Sequence, residues 1–419
     1  MMPIRSVLVI SPESPYPLQG GGQYRTASLI HYFARFAEVD LILISESGKP
    51  ALLPPGLVRS QTVIPLPKHS KGLLERYSRN ARRALAGVPP LIDRLSGLGP
   101  AITKGIGGRR YDAGVLEHFW LAPYVNELEV ACQEMVLDLH NVESMLHQTC
   151  ARAGNGLVGL GHRRFAGASR KLEAQLLPRF NTVLATSASD QAMAKKIAPS
   201  ARIEVYPNAL PAVAAPGSEQ TARAELREPP VVVFSGNFEY HPNIDAVRYL
   251  LTAIWPEVRK QRPDLRLRLV GRGDSHIRSL LPRGSAANTG IEVTGAVQNA
   301  MAEIGEARIV IAPLRMGSGT RIKILEAWAA ARPVVATPLA AEGLAVKDGE
   351  NIVLEATPEA FARAILRLLT DPAERVRLAA GGRKTFEQMY TWDAAWLTLD
   401  RYLQVTRPVA TATADLKNV

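Results

Sequence analysis

The chain has 419 residues, too many for one hydrophobic core, and 47% hydrophobic with 21% charged content, the balance of a folded globular protein. Two domains are therefore expected, and disordered, fibrous and collagen-like classes are excluded. The net charge of +11 is concentrated, with ten basic residues against two acidic ones between Lys68 and Arg110.

The first ten residues have too short an apolar core and no small-residue cleavage site for a signal peptide, so residues 4–10 read as a first buried strand. A loop rich in Pro and Gly runs from Ser11 to Gly22. It leads into a helix over 23–36 with Leu29, Ile30, Phe33 and Ala37 at helical spacing. Short apolar strands follow at 39–44, 113–116, 134–139, 182–185 and 202–206, separated by helical stretches, the pattern of a doubly wound parallel sheet. Residues 207–230 turn polar and rich in Ala and Pro, as interdomain linkers do. A second series then begins: strand 231–234, helix 242–260, strands 266–270, 291–294 and 308–312, helix 320–331 and strand 333–336. Helices at 358–369, 372–389 and 392–405 precede an Ala/Thr tail. The expected division is a Rossmann-like domain over 1–215, a linker over 216–230, a second Rossmann-like domain over 231–390, a helix over 391–405 and a tail over 406–419.

Cys132 and Cys150 are too few and too isolated for a disulfide framework or a zinc site, and no apolar run approaches the ~20 residues of a membrane span. A cytoplasmic chain is expected. The basic segment suits an anionic leaflet or a phosphorylated ligand, a solvated helical face being the plain alternative, and no aromatic interleaving points to nucleic acid.

Open α/β sheets bind ligands at the carboxyl ends of their strands, so the loops after strands carry the candidate chemistry. Gly20, Gly21 and Gly22 allow backbone amides to approach an anion at a helix N-terminus, although Arg25 stands where a dinucleotide fingerprint needs its last glycine. After residues 308–312 comes Pro313-Leu314-Arg315-Met316-Gly317-Ser318-Gly319-Thr320-Arg321-Ile322-Lys323-Ile324-Leu325-Glu326-Ala327. Here Gly317, Ser318 and Gly319 permit close approach and Thr320 can cap the helix. Arg321 and Lys323 oppose the helix dipole unless an anion such as a diphosphate compensates them. Glu326 can accept from a ribose diol. Gly271, within Val270-Gly271-Arg272-Gly273-Asp274, and Gly236 and Asn237, after residues 231–234, are turns that can line the same crevice.

The run from Pro313 to Ala327, followed by Arg332-Pro333-Val334-Val335-Ala336-Thr337 and Ala341-Glu342-Gly343-Leu344, resembles the donor-binding half of GT-B glycosyltransferases of family 4. The variant is similar to sugar transferases of bacterial exopolysaccharide clusters. The Gly-rich loop, Leu137-Asp138-Leu139-His140-Asn141, Val205-Tyr206-Pro207-Asn208 and Ser235-Gly236 extend the resemblance over nearly the whole chain. It implies two Rossmann-like domains facing a central cleft, with the last helix crossing back to the first. It also implies a retaining transfer of a hexosyl group from a nucleoside-diphosphate sugar to a hydroxyl acceptor. Gly21 and Gly22 then lie near the diphosphate, Gly236, Asn237, Gly271 and residues 316–323 hold the donor, Glu326 binds ribose and His140 sits near the anomeric centre. His118 and Arg25 are candidates for the acceptor or sugar, and His31, His69, His147, His162 and His276 are read as structural.

Two departures stand out: Ser318 occupies the place of the family's first glutamate, and Asn237 and Asn243 stand near its Arg and Lys. No Asp-x-Asp occurs, so no metal and no cofactor beyond the co-substrate are expected. The predicted partners are the nucleotide-sugar, a glycan or lipid-linked acceptor and an anionic membrane surface met by the Lys68 to Arg110 segment. A nucleotide-sugar epimerase or hydrolase, or a non-catalytic nucleotide-sugar-binding protein, remain as alternatives.

Overall fold

The computed structural model describes residues 4–67, 72–153, 156–214, 217, 224–281, 290–297, 299–317 and 322–403. Strand β1 (Ser6–Ser11) has five consecutive buried residues, as a strand must when helices cover both faces of its sheet. Leu8 and Ile10 join the core on one face, Val7 and Val9 the core on the other. With β2 (Glu38–Ser45), β3 (Ser60–Pro65), β4 (Tyr111–Glu117), β5 (Cys132–Asp138), β6 (Thr182–Ala185) and β7 (Ile203–Val205) it forms a seven-stranded parallel sheet of order β3-β2-β1-β4-β5-β6-β7. The sheet's helices are α1 (Gly21–Ala34), α2 (Leu73–Ala86), α3 (Pro90–Arg94), α4 (Gly99–Ile106), α5 (Val125–Ala131), α6 (Glu143–Ala153), α7 (Gly156–Leu176) and α8 (Ala188–Ile197).

A second parallel sheet, of six strands, comprises β8 (Val231–Ser235), β9 (Arg266–Val270), β10 (Ile291–Gly295), β11 (Ile309–Ala312), β12 (Val334–Ala336) and β13 (Val353–Leu354), in the order β10-β9-β8-β11-β12-β13. Its helices are α9 (His241–Tyr249), α10 (Trp255–Gln261), α11 (Asp274–Arg278), α12 (Ala300–Gly305), α13 (Ile322–Ala329), α14 (Pro358–Thr370) and α15 (Pro372–Met389). Strand order reverses between β1 and β4 in one sheet and between β8 and β11 in the other. At each reversal the outgoing loops part to opposite faces, which opens a crevice at the carboxyl ends.

The last helix, α16 (Trp392–Tyr402), leaves the second sheet and packs Trp392, Ala395, Trp396 and Leu399 into the outer core of the first. Trp396 Nε1 donates to the Ser28 carbonyl at 3.1 Å, and Tyr32 donates to Asp400 at 3.0 Å. Where the two crossing segments pass, the Leu210 amide donates to the Tyr390 carbonyl and the Trp392 amide to the Leu210 carbonyl, each at 2.9 Å.

Three local features depart from the sequence reading. β3 was not anticipated, because only Ile64 of its six residues is buried and the apolar pattern is correspondingly faint. The helix expected over 242–260 is split by a π-turn, Leu250–Ile254, in which the Trp255 amide reaches back to Leu250. Pro256, in the first turn of α10, has no N–H to donate, so the regular ladder cannot run through. Three cations of the basic segment are engaged in ion pairs. Arg83 pairs with Asp93 and Arg94 with Glu46, while Arg109 pairs with Asp40 at the amino ends of the strands, opposite the crevice. Lys68 and Lys71 lie outside the described residues.

Ala331, at the turn between α13 and β12, has φ +48°, a left-handed conformation in which its Cβ crowds the backbone. Ala331→Gly is expected to stabilise the fold by about 1 kcal/mol, seen as a melting temperature raised by a few degrees.

Candidate active site

The crevice of the first sheet is built on a buried ion cluster. Arg25, on the first turns of α1, is 1% exposed and donates to Asp138 at 2.7 and 2.5 Å, to the Tyr206 carbonyl at 2.7 Å and to Asn208 at 3.0 Å. Its guanidinium lies over the Tyr206 ring. Four of its five N–H groups are taken up in these bonds and the side chain is closed off from the cleft, so Arg25 is not a contact for acceptor or sugar: it is a structural cation. Asp138 ends β5 and Glu117 ends β4, both fully buried, and His140 Nε2 lies 2.9 Å from Glu117 and 3.4 Å from Asp138. Thr26 also donates to Glu117. Burial pulls the His140 pKa down, but the Asp138 and Glu117 carboxylates outweigh it and raise it to about 9, so His140 is an imidazolium at neutral pH. Burial and the Asp138 charge push Glu117 up, and the Arg25 and His140 partners hold Asp138 well below the usual carboxylate range in spite of its burial.

On this cation lies a column of rings. His118 stacks on His140 with centroids 3.5 Å apart, and Trp120 stacks on His118 at 4.2 Å. His118 carries φ +67° at the turn out of β4, a strained backbone that brings its ring into the column. Burial and the His140 charge lower its pKa to about 4, so it is neutral. Its Nε2 bonds Glu13 at 3.1 Å, and its Nδ1 is buried with no hydrogen-bond partner among the described residues. Trp120 Nε1 donates to Glu143 at 2.9 Å.

Glu13, His118 and His140 form one group of ligand atoms near enough to hold a cation, and Glu117, Asp138 and His140 another. The first does not fit one ion: rings stacked 3.5 Å apart and 25° from parallel cannot both aim an in-plane lone pair at the same point. In the second, the His140 nitrogen is already bonded to Glu117 and ion-paired with Asp138.

The crevice of the second sheet faces α1. Gly21 is packed against Ile322 on α13, and Tyr24 joins the second domain's core. Two helix N-termini thereby approach each other, an arrangement favourable to anions. Lys323 Nζ donates to Asn243 Oδ1 at 2.8 Å and lies 4.3 Å from the centroid of the Phe234 ring, directly beneath Gly236. Gly236 and Gly271 touch so closely that a Cβ on Gly271 would stand 1.8 Å from the Gly236 carbonyl oxygen. Asn237 is drawn into the same turn, its carbonyl accepting from Asn243. Ser235 Oγ, at the end of β8, is buried without a hydrogen-bond partner among the described residues. Glu326, 8% exposed, lies toward Tyr24, and no hydrogen bond reaches its carboxyl among the described residues. Burial raises its pKa to about 7, with Lys323 opposing.

The sequence-predicted residues thus fall into two groups on facing crevices: Gly21, Gly22, His118 and His140 in the first, Gly236, Asn237, Gly271, Lys323 and Glu326 in the second. Met316 and Gly317 follow β11 on the second side. Ser318, Gly319, Thr320 and Arg321 lie outside the described residues. Glu13, Glu117, Asp138 and Ser235 were missed, because their significance lies in partners far away in the chain.

Residues 229–371 match the family described as Glycosyl transferases group 1. The chain is 30% identical over 185 residues to a phosphatidyl-myo-inositol mannosyltransferase of Mycobacterium leprae, covering 43% of this chain and 47% of that protein. It is 28% identical over 142 residues to an uncharacterized 44.6 kDa protein in the cps region of Klebsiella pneumoniae, covering 32% of this chain and 36% of that one. The chain spans less than half the length of the curated relatives it matches. Among solved structures, sucrose-phosphate synthase from Thermosynechococcus elongatus superposes with a TM-score of 0.73 at 17% identity, covering 96% of this chain and 98% of that one. HepE of Anabaena, in complex with UDP-glucose, superposes with a TM-score of 0.61 at 14% identity, covering 95% and 99%. The fold is the GT-B fold that the sequence resemblance implies, over nearly the whole chain.

Two outcomes follow from the ion cluster. Arg25→Met leaves Asp138 buried without its partner and is expected to cost about 3–5 kcal/mol in urea unfolding. His140, raised to about 9 from an ordinary ~6.5, adds stability that is complete below the lower value and lost as pH rises through the higher. The stability gap between wild type and His140→Gln should therefore narrow from near-neutral to strongly alkaline pH.

Proposed function

We propose that this chain, with a glycosyl transferases group 1 domain at residues 229–371 and the GT-B fold, moves a sugar from a nucleoside-diphosphate sugar to a hydroxyl acceptor. The observation that carries the reading is Glu326: a carboxyl group buried in the cleft with no hydrogen-bond partner among the described residues is costly unless a ligand supplies donors, and a ribose diol does so. Ser235 Oγ, equally without a hydrogen-bond partner among the described residues, adds a second polar atom on the same side. The known ligand of the HepE neighbour, UDP-glucose, is a donor of this class.

In this reading the diphosphate lies between the N-termini of α1 and α13, near Gly21 and Gly22, with Lys323 and Arg321 supplying the charge that the absent Arg and Lys would have given. Charge grows on the diphosphate as the sugar leaves, and fixed amides and cations stabilise that charge without reorganising. His140 acts through His118: its imidazolium braces the ring column from below, and the edge of His118 meets the sugar. The transfer is retaining and needs no metal. The acceptor is a glycan or lipid-linked hydroxyl, in polysaccharide or glycolipid synthesis, and those cations of the Lys68 to Arg110 segment that are not held in the ion pairs of Arg83, Arg94 and Arg109 dock an anionic membrane surface from the cytoplasm.

A thermal-shift screen of UDP, GDP, ADP, CMP and dTDP, with and without EDTA, tests the reading, since a ligand that binds the native state raises its melting temperature. One nucleoside diphosphate should stabilise the protein equally in EDTA. Stabilisation by none would sink the proposal. Lys323→Met should weaken that binding by about ten-fold or more, the worth of a charge-assisted hydrogen bond. Product analysis with the matching nucleotide-sugars separates transfer from epimerisation or simple hydrolysis.

A further inference from the structure

A cavity of about 340 Å³ lies between the turn at 331–333 and α15, and its lining includes Glu225 from the segment that leads into β8. That volume falls among those of small-molecule sites. The turn feeds the amino end of β12, in a parallel sheet whose crevice is at the carboxyl ends of its strands. The cavity and the crevice are therefore at opposite ends of the second sheet.

Arg332, Arg375, Arg383 and Lys384 line the cavity against Glu225 and Glu387, an excess of two positive charges. Arg375 pairs with Glu225, Nε to Oε2 at 3.1 Å, and also donates to the Leu369 carbonyl at 3.1 Å. Arg383 donates to Glu387 and to the Val213 carbonyl, each at 2.7 Å. The excess therefore rests with Arg332 and Lys384. Arg332 is 2% exposed, and burial lowers its pKa in spite of the opposing charges of Glu225 and Glu306. Both of those carboxylates are hydrogen-bonded to another arginine, Glu225 to Arg375 and Glu306 to Arg227. A further anion would offset the cost of keeping the Arg332 charge in the interior. Lys384 is exposed on α15, and Val376 and Ala379 add an apolar flank.

We propose that this cavity is a second anion site, separate from the cleft, which takes a phosphate monoester between Arg332 and Lys384. Two charges on one compact group match the excess in the lining, and a phosphate monoester is dianionic above its second pKa of about 6. Guanidinium groups suit its oxygens, and the apolar flank suits the organic part of an ester. The site has a place in the architecture as well. Glu225 and Val213 both belong to the segment that joins the two halves, and both are bound by arginines that line the cavity. A ligand here sits where that segment is fastened to α15. The inference is independent of the glycosyl-transfer reading and stands or falls without it.

The test titrates the full chain by calorimetry at pH 8, in a buffer free of phosphate, with glycerol 3-phosphate, glucose 6-phosphate and inorganic phosphate. Glucose serves as the uncharged control. At least one of the phosphates should bind, at a single site, and glucose should not. Lys384→Glu reverses a charge at an exposed position, so it should keep the melting temperature of the unliganded protein and weaken the phosphate by about ten-fold or more. Lys323→Met, in the crevice of the second sheet, should leave the phosphate affinity unchanged. The proposal is overturned by binding of none of the three phosphates, by equal binding of glucose, by an affinity that Lys384→Glu does not alter, or by an affinity lost in Lys323→Met.

Discussion

The first domain is organised around the guanidinium of Arg25. It is buried, it touches α1, the end of β5 and the chain leaving β7, and it neutralises the Asp138 carboxylate that would otherwise be a bare charge in the interior. Asp138 in turn shares His140 with Glu117, and the resulting imidazolium supports the stacked ring of His118. From Arg25 to Glu13 the order is ion pair, shared proton, ring stack and exposed carboxylate. Each member is held by the one beneath it, so the cleft surface of this domain inherits its geometry from a charge buried in the interior.

The two crevices differ in chemistry. The first is lined by acidic groups and imidazoles at the ends of β4 and β5, suited to hydroxyls and to a sugar that gains positive charge. The second offers backbone amides, Lys323 and the buried Glu326 carboxyl, suited to a diphosphate and a ribose. Lys323 is positioned by Asn243 and by the face of Phe234, so its ammonium is fixed before any ligand arrives. The two chemistries thus sit on separate sheets, and the approach of Gly21 to Ile322 and the packing of Tyr24 into the second core bring them together.

The strands were legible because burial on both faces leaves little but apolar residues in them, and β1, β5, β8 and β11 appear within a residue or two of their expected places. β3 escaped because its side chains are mostly half-exposed. The second crevice was legible for a similar reason, since Gly-rich turns after strands announce close backbone approach. The first crevice was less so. Arg25 in a glycine-rich loop has the look of a ligand contact, and nothing local reveals Asp138, 113 residues away, to which it is bound. Glu13 was silent for the same cause: its meaning comes from His118 and Gly22, which only folding brings beside it.

The chain passes between its two halves twice, once before β8 and once into α16, and the passages are hydrogen-bonded to each other at Leu210 and Trp392. Two tethers that meet at one place act as a hinge pin. The halves can swing or twist about that place, but they cannot slide past each other or separate. Cutting the linker alone would leave the domains joined, because α16 stays anchored through Trp396 and Asp400. The distance between the crevices is therefore governed by an angle, and small rotations at the pin become large changes at the mouth of the cleft.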